Sequence, residues 1–163
     1  MTRVKSPQFG AVLFRSTELI STHGVEVFER LGIGLHANKI SIVLALHTRG
    51  ALSSTELSKH IGISRQLIES RLKSSVKDGF FIALPDLDDS RRRIYNISAS
   101  AKVEAERIVS IMLDFEQVYA ALWDEIGIDI EVAIKLMEKV LNKKSLFHRL
   151  LEEFPDYEVQ VKE

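Results

Sequence analysis

The chain has 163 residues, 45% of them hydrophobic and 28% charged, the balance of a folded domain able to bury a core and not of a disordered tail. It contains no cysteine, which excludes disulfides, thiolate metal sites and thiol-based oxidant sensing; its longest apolar runs fall far short of the ~18 residues of a membrane span. The net charge of −1 is unevenly spread: residues 36–98 hold ten Lys and Arg against six Asp and Glu, and residues 99–163 hold eight against fourteen, so the middle is the part suited to meet a polyanion.

Taken in order, the pattern is mostly helical with one β-like interruption. From about Pro7 to Arg30 apolar residues recur loosely at Phe9, Leu13, Ile20, Val27 and Phe28, with Gly24 a weak point inside. The first ten residues carry basic side chains but no apolar signal core, so a cytoplasmic location is expected. Ile40, Val43, Leu44 and His47 follow the spacing of one buried helical face, which Gly50 ends. Ser53 with Glu56 predicts a capping box, and Leu52 with Leu57 supplies the hydrophobic staple around it. Gly62 cuts that helix short. Ser64 then predicts a second cap, with Ile63 and Ile68 as its staple, Ile68, Leu72 and Val76 as its buried stripe, and Gly79 as a left-handed terminus. Two helices joined by a glycine turn, the second well capped, match the helix-turn-helix pattern.

Beyond Gly79 the character changes. Residues 80–84 form an apolar, strand-like run, residues 85–90 a polar loop, and Arg91 to Ile97 a returning strand with Tyr95 and Ile97 on one face. Such a hairpin with a long polar tip is a wing. Ser98 predicts the cap of a long helix to about Glu125, with Ile108, Met112, Phe115, Tyr119 and Leu122 as its stripe, broken by Gly127. Asp129 predicts the cap of one last helix carrying Ile134, Met137 and Leu141 and ending before Pro155.

The segment Leu84-Pro85-Asp86-Leu87-Asp88-Asp89-Ser90-Arg91-Arg92-Arg93-Ile94-Tyr95-Asn96-Ile97-Ser98 places an acid at Asp89, a spacer, an arginine at Arg91, a strand and a capping hydroxyl at Ser98. Together with the spacing from Ser64 to Gly79, it resembles the MarR family of bacterial transcriptional regulators over about residues 31–101. His36, Ser75 and Ala101 depart from the family's usual residues. The resemblance implies a mainly α fold with a small β-hairpin wing: a winged helix-turn-helix at residues 35–98, flanked by dimerisation helices at 1–34 and 99–163. It further implies a homodimer that acts on a palindromic DNA operator, as a repressor released by a small organic ligand.

On the recognition helix, a wheel drawn from Ile68 turns Gln66, Ser70, Lys73 and Lys77 outward beside Ser64 and Arg65. Glutamine can bond adenine edges, and lysine can reach guanine or phosphate. Glu69 would repel phosphate unless it reads a cytosine or pairs with Arg65 or Lys73. Arg71 lies nearer the buried face, where it can brace the fold. In the wing, Arg91, Arg92 and Arg93 stand against Asp86, Asp88 and Asp89, and an arginine at a hairpin tip suits the negative potential of a narrow minor groove. The family pattern casts Asp89 as the group that aims Arg91. The resemblance also offers Arg15, His23, Phe28, His36 and His47 as the lining of an effector site.

The five histidines lack ligand spacing, so no metal or other cofactor is expected. No phosphate loop, nucleophile elbow or catalytic carboxylate pair appears, which points away from an enzyme. Wide apolar stripes on the terminal helices (Phe115, Tyr119, Leu122 and Trp123; Leu141, Phe147, Leu150 and Leu151) point to self-association. A winged-helix module that binds protein without reading DNA sequence is the alternative.

Overall fold

Short polar residues start the helices where the sequence places them. In the computed structural model, which describes residues 8–86, 89 and 92–157, the Ser53 hydroxyl accepts the Glu56 N–H while the Glu56 carboxylate accepts the Ser53 N–H at 2.8 Å, completing the capping box. Ser64 accepts the Leu67 N–H at 3.3 Å, Ser98 that of Ala101 at 3.2 Å, and Asp129 that of Val132 at 2.9 Å. The elements are α1 (Phe9–Arg30), a 3₁₀ turn (Ala37–Lys39), α2 (Ile40–Arg49), β1 (Leu52–Ser53), α3 (Ser54–Ile61), α4 (Arg65–Lys77), β2 (Phe81–Pro85), β3 (Arg93–Ile97), a second 3₁₀ turn (Ala99–Ala101), α5 (Lys102–Ile126), α6 (Ile130–Lys143) and α7 (Leu146–Glu153).

The chain divides into two compact units, Met1–Met112 and Leu113–Glu163, the division falling inside α5. In the first, the sheet has the order β1-β3-β2, antiparallel throughout, with Phe81 opposite Ile97 and Pro85 opposite Arg93. The third strand is the two-residue β1, whose Leu52 and Ser53 face Tyr95 and Ile94. A strand this short carries no periodicity and was not anticipated. The core joins Ile42, Val43 and Leu46 of α2 to Leu57 of α3, Ile68 and Leu72 of α4, Phe81 of β2, and Ala105 and Ile108 of α5. Burying each large aliphatic side chain contributes about 1.5–3 kcal/mol, so α4 is held by the stripe the sequence assigns to it. Its end is a Schellman turn: Phe80 N–H reaches Ser75 O at 2.9 Å and Gly79 N–H reaches Val76 O at 3.2 Å, which requires the positive φ of 79° at Gly79.

The first helix runs unbroken from Phe9 to Arg30 with Gly24 inside it. Two expectations are corrected. The buried residues of α2 are Ile42, Val43, Ala45 and Leu46, with His47 exposed, because α2 packs against α3, β3 and the first 3₁₀ turn instead of presenting one stripe. The single last helix is two helices, since the first ends at Lys143 with Lys144 as its C-cap and Ser145 caps the next by accepting the His148 N–H at 3.3 Å.

In the second unit the rings of Phe115, Tyr119 and Trp123 follow one another along α5, with successive centroids 5.9 and 5.8 Å apart. Many other apolar side chains of this unit remain exposed, among them Leu113, Val118, Leu136, Leu146 and Phe154.

Within α4, two polar atoms are buried without partners: the Arg71 Nε and, one turn on, the Ser75 Oγ. An unsatisfied buried hydroxyl costs free energy that an alanine avoids. Ser75→Ala should therefore stabilise the fold by about 1 kcal/mol. A melting temperature equal to or below that of the parent protein would show that the hydroxyl has a partner.

Candidate nucleic-acid interface

The surface formed by α4, the start of α3 and the β2–β3 wing carries Arg65, Lys73, Lys77, Arg92 and Arg93 of the cations of the middle region. Ser64 caps α4 from an exposed position, and from the next turn Gln66, Ser70, Lys73 and Lys77 project outward. None of these four makes a side-chain hydrogen bond or ion pair among the described residues. Their donors are available to a ligand.

Glu69 is turned away from that role by its neighbours. The Arg65 Nε donates to Glu69 Oε1 at 2.7 Å, and the Ser54 hydroxyl of α3 donates to the same oxygen at 3.1 Å. The bond from Arg65, then that from Ser54, holds the carboxyl below its usual range, so Glu69 is a neutralised anion at physiological pH. Of the partners the sequence offered it, Arg65 is the one it takes.

In the wing, Arg92 is engaged within the chain. Its Nη2 donates to Ser53 Oγ at 3.3 Å and lies 3.7 Å from Glu56 Oε2, while its Nε lies 3.6 Å from Asp86 Oδ2. Arg93 and Asp89 are exposed. Arg91 and Asp88 lie outside the described residues. Between the start of α3, the first turn of α4 and β3 opens a cleft of about 440 Å³, lined by Ser53, Ser54, Thr55, Arg65, Glu69, Arg92, Arg93 and Tyr95. Sequence reasoning identified Ser53 and Glu56 only as a cap and did not single out Ser54 or Thr55. Their part in this surface comes from contacts to α4 and the wing, which leave no local pattern.

The residues offered as an effector lining lie on α1, the first 3₁₀ turn and α2. Phe28 is buried in the core, whereas Arg15, His23, His36 and His47 are exposed. The His36 Nδ1 accepts the Asn38 N–H at 3.3 Å, so this histidine serves as a helix cap. Neither the cleft above nor a second one beside Trp123, Asp124 and Asp129 is lined by any of the five. Among the described residues no three His, Asp or Glu side chains are grouped as a metal ion would require, and no helix is long and apolar enough to cross a membrane.

No family sequence model matches the chain, and no curated protein matches it by sequence. Solved structures match it by shape. A mutant of MarR from E. coli complexed with operator DNA superposes with a TM-score of 0.65 at 15% identity, over 83% of this chain and 94% of that one. Overoxidised AbfR bound to DNA gives 0.63 at 16% identity, over 83% and 91%. The adhesin competence repressor AdcR from Streptococcus pyogenes gives 0.53 at 19% identity, over 80% and 97%. The fold is thus a winged helix with helical extensions at both ends of the chain. More particularly, it is the fold of the MarR-family winged-helix regulators.

Two consequences can be measured. Ser64→Ala removes the cap of α4 and should cost roughly 1 kcal/mol, seen as a lower melting temperature. Glu56 has its pKa lowered in the folded state, first by its hydrogen bonds from the Ser53 side chain and backbone and then by Arg92. A lowered folded-state pKa contributes stability that is complete above the unfolded value of about 4.3 and is lost as pH falls through the folded one. Glu56→Gln should therefore lower stability near neutral pH and flatten its decline in acid. Parallel acid limbs for the two proteins would contradict this.

Proposed function

We propose that the chain is a sequence-specific, double-stranded-DNA-binding transcriptional regulator that acts as a homodimer on a palindromic operator, as a repressor, with release by a small organic ligand. The observation that carries the DNA reading is the outward face of α4. Gln66, Ser70, Lys73 and Lys77 are exposed and unpaired there, while the helix's own acid, Glu69, is neutralised by Arg65. A capped helix with amide, hydroxyl and ammonium donors outward and an apolar stripe inward suits a major groove, which is wide enough to admit it. The wing beside it supplies Arg93 and, by sequence position, Arg91 for the flanking minor groove. Two of the similar structures, those of MarR and AbfR, contain DNA.

The dimer reading is supported by apolar surface that a monomer would leave in water. Phe14 of α1 is 66% exposed and Leu146 of α7 is 70% exposed, with Phe9, Leu136, Val140 and Phe154 also open. A two-fold dimer presents two α4 helices, so its site is a near-palindrome with half-sites about 34 Å apart. Occupying such a site excludes other proteins from it, which is repression in its simplest form, and AdcR carries the name of a repressor. Ligand release rests on the family resemblance: a molecule that favours one lobe spacing over another shifts the protein away from the DNA-competent state.

Duplexes selected from a random pool by the purified protein supply the test. Affinity should fall steeply as salt rises, and Arg91→Ala should reduce the slope of log Kd against log salt by up to about two units, because each dimer loses two phosphate-region contacts. Light scattering at micromolar concentration should give a dimer. A stable monomer would sink the dimer reading, and an absence of salt-dependent binding would favour the protein-interaction alternative.

A further inference from the structure

Arg92 sits next to the first residue of β3, and its guanidinium lies between carboxylates from two different elements. Toward the wing it faces Asp86, the residue that follows β2. Toward the body of the lobe it meets Ser53 and Glu56, both halves of the α3 capping box. The backbone closes the same junction: Asp86 N–H reaches Arg92 O at 3.1 Å, and Arg92 N–H reaches Asp89 O at 2.8 Å. The Asp86 side chain is only 14% exposed, against 48% for Arg92 and 51% for Glu56, so the inner pair is the better shielded from solvent.

These contacts extend further. Ser54, next to Ser53, donates to Glu69 of α4, and Glu69 holds Arg65 in the first turn of that helix. A chain of polar contacts therefore runs from the wing through the start of α3 to the start of α4, along the wall of the cleft. Arg93, one residue on, is exposed and makes no ion pair among the described residues. Of the two neighbouring arginines, one is spent inside the protein and the other is free.

We infer that Arg92 is a positioning residue for DNA binding: it fastens the base of the wing to the α3 cap and so sets the wing relative to α4. The inference rests on the DNA-binding reading above. A guanidinium suits this task because its planar fork can donate in two directions at once, which an ammonium on a flexible stem does not reproduce.

A phosphate contact and a positioning role predict different outcomes on a duplex selected by the wild-type protein. Arg92→Ala and Arg92→Lys should both weaken binding, by about tenfold, with the salt slope unchanged; Arg93→Ala should lower the slope by up to about two units. Glu56→Gln is the sharper probe. Removing a negative charge from a DNA-facing surface should tighten binding if only charge matters, but should weaken it if Glu56 anchors Arg92. Melting temperatures identify any variant that has lost its fold, and the double variant should lose no more affinity than Arg92→Ala alone. A shallower slope for Arg92→Ala, or tighter binding by Glu56→Gln, overturns the inference. If the wild-type protein shows no salt-dependent duplex binding, the DNA-binding reading fails instead. Hydrogen exchange then decides the brace: the Asp86 and Arg92 amides should exchange about tenfold faster in Arg92→Ala, and unchanged rates would refute it.

Discussion

The winged-helix lobe depends on what happens at Ser53. That residue is at once the last position of β1, paired across to Ile94, and the N-cap of α3, with its hydroxyl accepting the Glu56 N–H. The same hydroxyl accepts from Arg92 of the wing. A strand end, a helix start and a hairpin anchor thus converge on one buried serine. The geometry is demanding, because the backbone must be extended to pair with β3 and must then turn helical within one residue. The capping box satisfies the orphan donors that this change of direction creates. With α3 so started, Leu57 enters the core and α4 follows after the glycine turn with Ile68 and Leu72 facing inward.

Counting charges gives a poor picture of the surface that results. The middle of the chain has an excess of basic residues, yet Arg65 is bonded to Glu69 and Arg92 to Glu56 and Asp86. Among the described residues of α4 and the wing, Lys73, Lys77 and Arg93 remain for a polyanion, with Gln66 and Ser70 as neutral donors beside them. The engaged arginines shape the surface and the free cations carry its field. This division explains how a chain of net charge −1 presents a face suited to phosphate: its excess of acid lies in residues 99–163, away in sequence from α4 and the wing.

The features that could be read from the sequence alone were local ones. Ser53, Ser64 and Asp129 each cap the element expected of them, Ser98 caps the 3₁₀ turn that precedes the long helix expected there, Gly79 takes the left-handed turn, and Tyr95 and Ile97 pack on the core from one face of the wing. Each depends on residues within a few positions of one another, where side-chain length and backbone geometry leave little choice. The tertiary structure alone decided the rest. It added β1 to the sheet, buried α2 on more than one side, and gave Glu69 and Arg92 their partners at separations of 15 and 39 residues. A hydrogen bond between groups so far apart in the chain has no periodic signature. It exists because α3, α4 and the hairpin are packed against one core, and only the packed core brings its donor and acceptor within reach.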